Sequence, residues 1–157
     1  MPATPQNGAD PITGLLATAE SLLTESPSDG PLTPTGRARG AAYALRIALE
    51  TAVDAVLTVE EDAFREVRSM RAKLLCLRHY AGPGLARRVH ALWSRLSSGC
   101  KYHRDEIGPS HTQVRDWQTA VEGILAELAA SRTGSVFPWH TGAERAGEDR
   151  ARPVDGV

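Results

Sequence analysis

Both cysteines of this chain are followed three residues later by a histidine: Cys76-Leu77-Arg78-His79 and Cys100-Lys101-Tyr102-His103. Two Cys-x-x-His pairs would supply the thiolate and imidazole ligands of a tetrahedral zinc site. Helix geometry opposes it. A helical hairpin turning at Gly82-Pro83-Gly84 sets Cys76 across from about His90. Cys100 then lies around ten residues further on, which at 1.5 Å per residue is on the order of 15 Å. That exceeds a zinc–ligand distance and the reach of a Cys76–Cys100 disulfide. Neither a metal nor a cofactor is expected; only a site built across a dimer, or a bend after Ser97, would restore the zinc.

A second set of reactive residue types, Cys100, Tyr102, His103, Arg104, Asp105, Glu106 and His111, precedes or opens a helix. A helix start carries free N–H groups and positive partial charge, which suits an anion such as phosphate. His111 or His103 could act as acid and base, with Arg104 clamping the phosphate, so metal-independent cleavage of a phosphodiester is within their chemistry. The same residues also read as a polar interhelical loop in which His103 and Glu106 pair with their neighbours.

The net charge of −1 hides a strong asymmetry. Residues 1–64 carry −6, residues 65–104 carry +9 with Glu66 the lone acid, and residues 105–157 carry −4. Such a central basic block is the electrostatic footprint of a polyanion binder. Arg68, Arg71, Arg78, Arg87, Arg88 and Arg95 are the expected nucleic-acid contacts. The competing expectation is that acidic segments of the same chain fold over the block, or that an acidic protein partner meets it. Sixteen of the eighteen basic residues are Arg, the better bidentate phosphate ligand.

Positioning these residues falls to helices. Asp10 before Pro11 caps a first helix, with Ile12, Leu15, Leu16, Ala19, Leu22 and Leu23 at the 3.6 period, ending near Glu25. Residues 26–36, rich in Pro and Gly, read as a linker. A second helix is expected over about 35–57, its stripe formed by Ala42, Leu45, Leu49, Ala52, Val53 and Val56. Thr58 with Glu61 has capping-box spacing, so a third helix is expected from there to about Tyr80, burying Val67, Met70, Leu74 and Leu77. The Gly82-Pro83-Gly84 triplet ends it. A fourth helix over about 85–97 aligns Leu85, Val89, Leu92, Trp93 and Leu96, and Trp93 reads as a core anchor. Residues 97–110 read as mostly loop. Ser110 with Gln113 opens a fifth helix to about Arg132, striped by Val114, Trp117, Val121, Ile124, Leu125 and Leu128.

No window alternates with period two, so the expected fold is all-α: an up-and-down bundle of four main helices plus an N-terminal one. The bundle occupies residues 10–132, between a disordered N-terminus, 1–9, and a disordered tail, 133–157, in which Val136, Phe137, Pro138 and Trp139 are the sole apolar cluster. Hydrophobic residues make up 41% and aromatics 5%, a lean core that favours burial at a homodimer interface. No apolar run exceeds five residues, which excludes a membrane-spanning helix. The first ten residues lack the basic and apolar regions of a secretory signal, so a cytoplasmic location is expected. Nucleotide-binding, metalloprotease and serine-hydrolase signatures are absent.

Leu92-Trp93-Ser94-Arg95-Leu96 leads into the His-bearing loop Cys100-Lys101-Tyr102-His103, and Pro109-Ser110 then opens the last amphipathic helix. This layout, over about residues 36–130, resembles bacterial HEPN-type domains. The resemblance implies an all-α, often dimeric bundle that binds RNA or cleaves it without a metal. Active members carry an Arg, four to six residues, then a His at a dimer cleft. Arg104 and His111 fit at the upper spacing, with polar Asp105 after the Arg. If His103 holds the motif position instead, its nearest preceding arginine is Arg95, eight residues earlier, and the catalytic pattern is broken. A small helical protein that binds RNA or another nucleic acid through the central basic block is therefore expected, an endoribonuclease if an enzyme. The alternative is a non-enzymatic module that docks on a protein.

Overall fold

The computed structural model describes residues 10–25, 30–101 and 107–133. The expectations of disorder at 1–9 and beyond 133, the 136–139 cluster, His103 and Arg104 all lie outside the described residues. Within them the chain forms five α-helices and no strand: α1 (Pro11–Thr24), α2 (Pro34–Glu60), α3 (Met70–Ala81), α4 (Pro83–Cys100) and α5 (His111–Thr133), with a 3-10 turn at Asp62–Glu66 between α2 and α3.

Local chemistry explains the helix starts. Asp10 accepts a hydrogen bond from the Ile12 N–H and Thr33 accepts one from Gly36, each followed by proline at the first helical position. Ser110 Oγ accepts from the Gln113 N–H at 3.1 Å, the expected cap of α5. Gly82 has φ +86°, a value that strains any residue with a Cβ, and Pro83 follows it immediately, so α3 and α4 fold back as a hairpin across one residue.

α2 is the hub, packing against all four other helices. Its 27 residues span about 40 Å. Contact on several sides explains why its buried positions, including Ala41, Ala44, Leu45, Ala48, Leu49, Val53 and Leu57, go beyond a single stripe. Leu77, Leu96 and Leu128 close the core from α3, α4 and α5. Each such leucine contributes about 1.5–3 kcal/mol of burial.

Two boundaries differ from expectation. Val53, Val56 and Leu57 continue the core face of α2 through Thr58, whose hydroxyl donates to the Asp54 carbonyl at 2.8 Å and caps nothing. The break comes at Glu61, and α3 begins twelve residues later than Thr58, at Met70. Val67, expected on its buried face, precedes it. At the other end, α4 runs on through Ser97–Cys100, residues read as loop. Leu96 and Ser97 are buried there, and Gly99 lies so close to α5 that an added Cβ would sit 2.6 Å from the Trp117 ring.

Candidate nucleic-acid interface

α3 and α4 contain no aspartate or glutamate. On α3, Arg71, Leu74, Leu75 and Arg78 follow the i, i+3, i+4, i+7 pattern of one helix face; on α4, Pro83, Ala86, Arg87, His90 and Trp93 do the same. The hairpin brings these faces together around a groove of about 630 Å³. Leu74 and Ala86 are buried in its floor, while Leu75 is 65% exposed. Three guanidinium groups and an imidazole therefore surround an apolar trough.

Trp93 is half-buried, packed on the core and at the same time part of the groove lining. Its indole N–H donates to Glu50 of α2 at 2.7 Å, which fixes the ring against the bundle. Glu50 also lies 3.5 Å from Arg46. Arg46 sits over the Tyr43 ring and donates to Cys100 Sγ. The core-anchor reading of Trp93 thus describes one side of the ring's environment.

The structure divides the six arginines expected to contact nucleic acid. Arg71, Arg78 and Arg87 share the groove, and none of them pairs with a carboxylate among the described residues. Arg88 and Arg95 line a separate depression of about 460 Å³ between α4 and α5. There Arg88 donates to Glu127, holding that carboxyl below its ordinary range, while its own guanidinium is held further above. Arg68 is exposed on the segment before α3, outside the groove. Internal neutralisation is real but selective: Lys73 pairs with Asp54 at 2.6 Å, Arg65 with Asp62 at 3.2 Å, and Arg88 with Glu127.

No protein-family model, curated protein or solved structure matches this chain.

The loop residues fall elsewhere. His111 opens α5, and its Nε2–H donates to the Leu23 carbonyl in the last turn of α1, where a helix leaves carbonyls without intrahelical partners. That bond ties α5 to α1; with His103 and Arg104 outside the described residues, no catalytic grouping is assembled among those described. Of the Cys-x-x-His residues, Cys76 is half-buried against the core, and His79 is exposed with its ring edge-on to Tyr80. Burial, with Glu61, Glu60 and Cys76 nearby, pushes the Tyr80 phenol up. Among the described residues no group of three or more His, Cys, Asp or Glu side chains is placed to hold a metal ion, and both thiols are free.

Sequence reasoning missed His90, Leu75 and the groove-facing side of Trp93. Their signal was present: Arg71, Leu74, Leu75 and Arg78, and Pro83, Ala86, Arg87 and His90, each follow one helix face in two adjacent helices without an acid.

Proposed function

We propose that this protein binds single-stranded nucleic acid, RNA in the first instance, in the groove between α3 and α4. The observation that carries the reading is that Arg71, Arg78 and Arg87 surround an apolar trough with no carboxylate paired to them among the described residues. Arginines at the rim take phosphates; Leu74, Leu75 and the Trp93 edge offer a surface for the face of an unstacked base. A duplex hides its base faces, so the trough favours a single strand. The HEPN-like layout of the sequence gives RNA the preference over DNA.

Fluorescence anisotropy of a labelled eight-nucleotide RNA, alongside a duplex DNA, tests this at low and moderate salt, with the RNA run on a gel afterwards. Salt-dependent binding that favours the single strand, and that Arg71→Ala/Arg87→Ala weakens roughly tenfold or more, is expected. Absence of binding at low salt would overturn the reading and turn attention to an acidic protein partner. Shortened RNA, abolished by His103→Ala or His111→Ala, would instead establish an endoribonuclease.

A further inference from the structure

The exposed face of α4 does not stop at the groove. Arg87, Ser94, Ser98 and Lys101 are spaced i, i+7, i+11 and i+14, which sets them in one line along the helix and its C-cap, with His90 beside it. The line starts at the α3–α4 groove and ends at a second depression of about 460 Å³, where α4 meets α2 and the start of α5. There Ser94, Arg95, Ser98 and Lys101 face Arg39 of α2 and Gln113 of α5, and among the described residues the lining contains no acidic one. Gly108 closes one wall so tightly that an added Cβ would come 2.6 Å from Thr35 Cγ2 and 2.8 Å from Arg39 Nε. This depression differs from the one between α4 and α5, where Glu127 answers Arg88.

We infer that the depression at the α2–α4–α5 junction is a second phosphate subsite, and that one nucleic-acid strand runs along α4 from the groove to it. The inference rests on the single-strand reading of the groove and extends it to a site length and a direction. From Arg87 to Lys101 the helix rises about 21 Å, which a strand at the stacked spacing of 3.4 Å covers in about six nucleotides, and a stretched one in fewer. Arg95 and Lys101 bind phosphate at the far end, with Ser94, Ser98 and Gln113 as neutral donors. Bases are held at the groove end, where the apolar surface lies. Short oligonucleotides therefore occupy the groove alone, while longer ones engage both ends.

The test uses the full chain with fluorescein-labelled oligouridylates of three and eight nucleotides, and helix content checked by circular dichroism. Arg95→Ala/Lys101→Ala is expected to weaken the eight-nucleotide strand roughly tenfold or more and leave the three-nucleotide strand unchanged. Its log–log salt slope for the longer strand should fall in magnitude by about 1.4, since a single-strand phosphate contact contributes about 0.7. Equal binding of the longer strand by wild type and this variant, while Arg71→Ala/Arg87→Ala weakens it, would overturn the two-ended track and leave the groove reading standing. No binding of either strand by wild type at low salt would overturn both.

Discussion

The α1–α5 side of the bundle and the α3–α4 side treat charge in opposite ways. On the first, Arg115 and Gln118 of α5 both donate to Glu20 of α1, and Gln118, itself 7% exposed, also reaches Glu122. Those hydrogen bonds hold the Glu20 carboxyl below its ordinary range. His111 adds a bond to the Leu23 carbonyl. Arg115, Gln118 and His111 each tie α5 to α1 in that seam. On the α3–α4 side, Lys73 and Arg88 find carboxylates on α2 and α5, yet Arg71, Arg78 and Arg87 find none among the described residues. Acids are in reach of this hairpin from its neighbours, so the unpaired arginines reflect the placement of Asp54 and Glu127 and not a general lack of counter-charge. The first side is tied helix to helix; on the second, charge is left unpaired among the described residues, which is what the proposed ligand site rests on.

If that contrast is right, stability and binding respond to different substitutions. The largest effect is expected in the core of α2. Leu49→Ala removes a fully buried side chain and should lower unfolding free energy by about 2–5 kcal/mol in urea denaturation. Replacing Arg71, Arg78 and Arg87 together by Ala should change stability by no more than about 0.5 kcal/mol, yet weaken RNA binding roughly a hundredfold. A large stability loss in that variant would show that the groove arginines serve the fold. Next is Gly99→Ala, which drives a methyl group into Trp117 and should destabilise by about 1–3 kcal/mol; tolerance without loss would mean the α4–α5 contact is looser than its geometry implies.

A smaller effect is expected from acid. Glu20 and Glu127 have folded-state pKa values lowered from 4.5, so each carboxylate stabilises the fold above that value. The contribution is lost as pH falls below 4.5 and through the lowered folded values. Melting temperature should therefore decline in that window, and Glu20→Gln should decline less steeply than wild type. An identical acid profile in the variant would remove Glu20 from the account.

Much of the fold was legible because it is written in local chemistry. Asp10-Pro11, the Gly82-Pro83 break and Ser110 with Gln113 each act within four residues, and all three function as expected. Thr58 with Glu61 failed because burial of Val56 and Leu57 in the core carries α2 past a cap that the sequence offers. The extension of α4 through Gly99 was hidden for a similar reason, since the partner that favours it, Trp117, is distant in the chain. At the candidate site, the basic block was visible by counting, but its partition was not. Whether an arginine is neutralised depends on which acid the neighbouring helix presents, and that is decided by packing. The carbonyl that His111 meets on α1 was hidden likewise, since it lies 88 residues away in the chain.

Arg87 and Arg88 make the most direct test, because they are adjacent in the chain and differ in what faces them. Affinity for the eight-nucleotide RNA at low salt should be measured for Arg87→Ala and for Arg88→Ala/Glu127→Ala, the latter leaving net charge unchanged. Arg87→Ala is predicted to weaken binding roughly tenfold, and the paired replacement to leave it within about twofold. Equal losses in the two variants, or no loss in Arg87→Ala, would contradict the claim that the unpaired arginines of the α3–α4 groove are the ones reserved for a ligand.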